Sequence, residues 1–125
     1  MEKTDYLYIN STILAFMGDA VYEMYVREHL VHTGQIHGDK LHLAAVKYVR
    51  AEAQAEAIKG MLDTLSQDEL NLVKRARNKQ ITSKPKNADP LTYKWATALE
   101  ALIGYLYLEG KQERMEEIIG KAIGR

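Results

Sequence analysis

The chain of 125 residues contains no cysteine. Disulfide staples and thiolate metal sites are therefore excluded, and the composition suits a reducing compartment. Proline is scarce, with two residues, and no stretch sustains the apolar–polar alternation of a strand. Both scarcities favour helix throughout. No apolar run approaches the roughly 18 residues that would span a bilayer, and the N-terminus lacks a signal-peptide pattern. A soluble, cytoplasmic protein is expected. Net charge is also missing, since 17 Lys and Arg balance 17 Asp and Glu. Such a chain has no global attraction for nucleic acid.

The charge is unevenly spread, however. Residues 74–94 hold Lys74, Arg75, Arg77, Lys79, Lys84, Lys86 and Lys94 against the single acid Asp89, a local +6 on a neutral chain. A basic segment of this kind is a candidate phosphate footprint. The plainer reading is a solvated loop and helix end, where basic residues are favoured anyway.

The length fits one domain, 1–125, with enough chain to bury an independent core. Helix signals recur along it. Asn10 or Ser11 can cap a first helix running to about Val31, stopped by Thr33-Gly34. Within it Leu14, Met17, Val21, Met24 and Tyr25 recur at three-to-four spacing and suggest one apolar face. Asp39 can cap a second, alanine-rich helix over about 40–59. A short helical piece is expected around Met61–Leu65. Ser66 and Glu69 form a capping-box pattern that predicts a helix from Gln67 to about Asn78. Residues 79–89 are polar and form an unusually long connection for a compact helical domain. Asp89-Pro90 then starts a helix reaching about Leu108, with Gly110 as its stop. A last helix is expected over about 111–123.

Two helical pieces carry the chemistry. Phe16-Met17-Gly18-Asp19-Ala20-Val21 and Leu99-Glu100-Ala101-Leu102-Ile103-Gly104 each place one carboxylate in an apolar stretch. A charge there is costly unless it is paired or holds a metal. Together, Asp19 and Glu100 would be hard oxygen ligands suited to Mg²⁺. The competing reading pairs Asp19 with Arg50 or Lys47, and Glu100 with Lys94 or Arg114.

These pieces also carry a resemblance. The first resembles the signature helix of the ribonuclease III family, and the second resembles that family's later Glu-Ala-Leu-Ile-Gly helix. Arg77-Asn78, Pro85-Lys86-Asn87-Ala88-Asp89 and Gly104-Tyr105-Leu106-Tyr107-Leu108 fit its short bacterial Mini-III branch, a catalytic domain with no appended double-stranded-RNA-binding domain. The match runs from about Asn10 to about Ile119. The resemblance implies an all-α, homodimeric bundle acting as a Mg²⁺-dependent, double-strand-specific endoribonuclease, with Mn²⁺ as a substitute ion. It implies trimming of large-subunit precursor ribosomal RNA, with a ribosomal protein as a further candidate partner. Asp19 matches the catalytic aspartate, Glu100 the metal-binding glutamate, and Phe16 a phenylalanine that packs across the subunit boundary. Two further family acids fall on Ala15 and Thr97 and are absent, which argues against a second tightly held ion. The alternative is a catalytically inactive RNA-binding or ribosome-associated protein of the same fold, for which those absences are the best support.

Glu23 lies four residues after Asp19, on the same helix face. It is an outer-shell candidate that could orient a metal-bound water, or it simply pairs with Arg27. Duplex RNA is read through phosphates and 2′-hydroxyls, and Arg75, Arg77, Asn78, Lys79, Lys84 and Lys86 suit that task. The eight tyrosines and Trp95 are placed for packing rather than base stacking. His29, His32, His37 and His42 lack the spacing of a zinc site and are expected on the surface.

Overall fold

The computed structural model describes residues 5–80 and 89–124, and within them the chain is all helix. Its six α-helices are α1 (Ser11–Val31), α2 (Gly38–Val49), α3 (Ala51–Gly60), α4 (Gln67–Asn78), α5 (Pro90–Leu108) and α6 (Gln112–Ile123), with single 3₁₀ turns at Tyr6–Tyr8 and Leu62–Thr64.

The starts and stops follow local chemistry. The Asn10 side chain accepts from the Thr12 N–H at 2.9 Å and caps α1. Ser66 and Glu69 exchange side-chain and backbone hydrogen bonds at 2.9 and 3.2 Å, closing the capping box of α4. The Asp89 side chain accepts from the Thr92 N–H at 3.0 Å, with Pro90 in the first turn of α5. Gly110 ends the α5 region with a φ of 78°, in the left-handed region that glycine reaches without strain.

α5 is the central element. Leu99, Leu102, Ile103 and Leu106 are fully buried along it, and α1, α3, α4 and α6 pack around it. Burial of each such side chain is worth about 1.5–3 kcal/mol, so this helix anchors the bundle. Its sequence is apolar nearly all round, as a surrounded helix requires.

The structure corrects three expectations. The 40–59 helix is two helices, broken at Arg50, which is extended at φ −67° and ψ 153°. The break lets α2 lie on α1 while α3 turns to pack on α5. The cap of α2 is His37, without a side-chain hydrogen bond, rather than Asp39, which falls in the first turn. Met24 is exposed, because the buried face of α1 runs through Leu14, Ala15, Gly18, Val21, Tyr22, Val26 and Leu30. α1 therefore has a second apolar stripe, Ile13, Phe16, Met24 and Val31, open to solvent on the single chain.

Candidate active site and nucleic-acid interface

The site is built on the crossing of α1 and α5. A Cβ on Gly18 would stand 1.7 Å from the Glu100 carbonyl oxygen, and one on Gly104 would stand 1.9 Å from that of Leu14. No side chain larger than hydrogen fits at either position while the helices stay this close. The backbones touch through the two glycines, and Asp19 and Glu100 are carried together by that contact.

Their carboxyl groups lie within hydrogen-bonding reach of each other. Asp19 is on the exposed side and Glu100 is half-buried. Glu100 is pushed up to about 8, first by burial and then by the negative charge of Asp19 and the hydrogen bond with it. A hydrogen bond from Gln54 opposes this rise. Among the described residues neither acid has a Lys or Arg partner. Arg114, a candidate partner for Glu100, instead binds Glu69 at 2.7 Å and also pairs with Glu117. That guanidinium holds Glu69 below the usual carboxylate range.

Two hard oxygen donors side by side, without a counter-charge among the described residues, form a set that a divalent cation would neutralise. The residues present therefore fit a magnesium-type ion, with Asp19 and Glu100 as its holders. No larger cluster is available, since no group of three or more His, Asp or Glu able to hold a metal exists among the described residues. Ala15 is buried, and the Thr97 hydroxyl donates to the Tyr93 carbonyl at 2.9 Å. Glu23 is occupied by Arg27 at 2.8 Å, the i,i+4 pair.

The basic residues gather at the end of α4. Arg75 donates to the Ile9 carbonyl at 2.9 Å, and the Lys79 ammonium donates to the Asn10 side chain. With Tyr8, Ser11 and Asn78 they line an open hollow at the start of α1. Arg77 donates to the Asn78 side chain at 3.0 Å and stands over the Trp95 ring, 4.9 Å from its centre. Trp95 precedes Glu100 by five residues on α5, about 7.5 Å along the helix axis. Lys84 and Lys86 lie outside the described residues.

Tyr22 and Tyr105 are core residues, as packing aromatics should be, while Tyr107 is exposed. Burial pushes the Tyr22 hydroxyl up to about 12. His32, His37 and His42 are exposed as expected, whereas His29 is half-buried, edge-on to Tyr48 with ring centres 5.9 Å apart. Phe16 is 80% exposed, the most open residue of the α1 stripe. Sequence reasoning missed Gln54, which is 3% exposed on α3 and contacts Glu100. Nothing local signals its place, because the break that aims α3 at α5 contains neither proline nor glycine.

Comparison with known proteins identifies the family. The Ribonuclease III domain family matches residues 12–111, a span that includes both acids and both interlocked glycines. A Mini-ribonuclease 3 from Brevibacillus brevis is 51% identical over 113 residues, covering 90% of this chain and 84% of the relative. A Mini-ribonuclease 3 from Enterococcus faecalis is 44% identical, covering 95% and 92%. The crystal structure of a Fusobacterium nucleatum protein superposes with a TM-score of 0.87 at 32% identity, covering 98% of each chain. The chain belongs to the ribonuclease III family and is an endoribonuclease.

Proposed function

We propose that Asp19 and Glu100 hold a Mg²⁺ ion, for which Mn²⁺ can substitute, and that residues 1–125 act as a single catalytic domain hydrolysing double-stranded RNA. The family is divalent-metal dependent and acts on duplex RNA. The observation that carries the reading is the meeting of two carboxyl groups without a basic partner among the described residues, at a crossing built from Gly18 and Gly104. When bound, the ion supplies neutralisation of phosphate charge, activation of a water and stabilisation of the leaving oxygen. The protein's own residues do the rest. Asp19 presents its carboxylate at the surface where a phosphodiester can arrive, and Glu100 backs it from the half-buried side. Glu23 serves as the outer-shell group, one turn along α1.

Arg75, Arg77, Asn78 and Lys79, together with Lys84 and Lys86, grip the duplex backbone. Their support is the concentration of positive charge at the end of α4 and the approach of Arg77 to Trp95 on α5, the helix that carries Glu100. The natural substrate is the large-subunit precursor ribosomal RNA, and a ribosomal protein presents it.

The working form is a homodimer. Ile13, Phe16, Met24 and Val31 form a solvent-facing apolar stripe on α1, spaced so that a second copy can pack against it. Phe16 is its central contact, and a Phe16→Asp variant is expected to sediment as a monomer.

The decisive experiment incubates the protein with a long RNA duplex at low salt, with Mg²⁺ or with chelator, beside an Asp19→Asn variant. Cleavage that requires both Mg²⁺ and Asp19 supports the proposal. Mg²⁺-dependent cleavage at an unchanged rate in Asp19→Asn overturns it.

A further inference from the structure

Gln54 occupies an unusual place. It is 3% exposed in an otherwise apolar layer, where leucine or methionine would fill the same volume without a polar group to satisfy. One amide hydrogen goes to the Val49 carbonyl at 2.8 Å. That carbonyl sits at the end of α2, where the extended Arg50 interrupts the ladder. The Gln54 side chain also faces Glu100 and favours the charged form of that acid. Its oxygen, Oε1, is buried and has no hydrogen-bond partner among the described residues. A cap for Val49 alone explains neither the contact with Glu100 nor the retention of an orphaned acceptor beside an acid pair.

We propose that Gln54 is a positioning residue for Glu100: its amide, anchored on the Val49 carbonyl at the α2–α3 break, sets the orientation in which that carboxylate meets a divalent cation. This inference rests on the reading of Asp19 and Glu100 as the ion's holders. The carboxylate stands on α5, and without a second tether its side chain could rotate about its own bonds. Gln54 supplies the tether from a different helix, so the acid is braced between α3 and the α1–α5 crossing. The buried Oε1 completes the logic, because a hydrated cation brings donors to an acceptor that has none among the described residues. Partners behind a ligand typically change metal affinity by about 10–100-fold when lost.

The test measures Mn²⁺ binding to the full chain without RNA, by the loss of the free-ion electron paramagnetic resonance signal, alongside thermal unfolding in chelator. Gln54→Leu and Gln54→Met remove the amide while keeping the volume. Ile58→Val, one turn along α3 and fully buried, loosens the same helix while leaving the Gln54 amide in place. Glu100→Gln marks the binding that depends on the acid. The expected result is Mn²⁺ binding weakened at least about tenfold in either Gln54 variant, and unchanged in Ile58→Val at comparable loss of unfolding temperature. Affinity within twofold of wild type in a folded Gln54 variant overturns the inference and leaves the acid pair standing. An equal loss in Ile58→Val overturns it too, by reducing Gln54 to a prop for α3. If wild type and Glu100→Gln bind Mn²⁺ alike, the acid-pair reading itself fails and takes the inference with it.

Discussion

The acid pair and the basic end of α4 are held in opposite ways. Asp19 and Glu100 are placed by backbone, through two glycines that let α1 and α5 touch. Arg75, Arg77 and Lys79 are placed by their own side chains, laid over Ile9, Trp95 and Asn10 at the surface. The first arrangement has almost no freedom, which suits a site that must hold an ion in a fixed geometry. The second consists of side-chain contacts at the surface that a phosphate can compete for, which suits a surface read by shape and charge. On the proposed reading, chemistry is built into the core, and grip is laid on top of it.

The largest expected break of this contrast is at the crossing. Gly18→Ala or Gly104→Ala would force the helices apart, because the new methyl meets backbone rather than a movable side chain. We expect a loss of at least about 3 kcal/mol in urea unfolding, together with loss of cleavage. Gly60→Ala is the control, since nothing lies within 4 Å of its added Cβ. It should be neutral or stabilise by up to about 1 kcal/mol.

The acids come next, and here stability and activity should move in opposite directions. Glu100 rises from 4.5 to about 8 on folding, so between those values the folded state binds the extra proton. Without metal, stability should therefore fall as pH rises through that window. Burial of Glu100 is the main cause of the fall; of the groups facing it, Asp19 from α1 adds to the fall and Gln54 from α3 opposes it. Calorimetry in chelator should show the pH-dependent part vanish in Glu100→Gln, which should unfold a few degrees higher than wild type near pH 8. The same variant should lose at least about 10³-fold in cleavage.

Smaller effects are expected at the surface. Arg77→Ala should weaken duplex binding several-fold and lower the slope of log affinity against log salt by about one, with little change in the cleavage rate at saturating RNA. A comparable loss in that saturated rate would show that grip and chemistry are not separate. Smallest of all is Glu23→Gln. An exposed i,i+4 pair with Arg27 is worth a few tenths of a kcal/mol, so unfolding should barely change, and a larger shift in the Mg²⁺ requirement for cleavage would mark its outer-shell role.

What could be read from the sequence was what neighbouring residues decide. Asn10, the Ser66–Glu69 box and Asp89-Pro90 act within one turn, and each starts a helix where expected. The break at Arg50 has no such signal. Its dihedrals suit almost any residue, and it arises because α2 and α3 pack on different partners. Gln54 was hidden for the same reason. Periodicity puts Met24 on the wrong face of α1 because that helix carries apolar residues on two sides, and spacing alone does not say which side meets α5. Gly18 and Gly104 were visible as letters, but their reciprocal contact depends on a crossing that spacing along the chain does not reveal. Asp19 and Glu100 were singled out because a carboxylate in an apolar helix calls for a partner, and the structure makes each the other's neighbour.

The central claim is that these two acids act as one unit, and a double-mutant cycle tests it most directly. Single-turnover cleavage of an RNA duplex at saturating Mg²⁺ would be compared for wild type, Asp19→Asn, Glu100→Gln and the double variant. If both acids hold one ion, each single change removes nearly the whole effect, and the double variant is no slower than the worse single one. Losses that multiply, or a Glu100→Gln variant close to wild type in rate, would contradict the account.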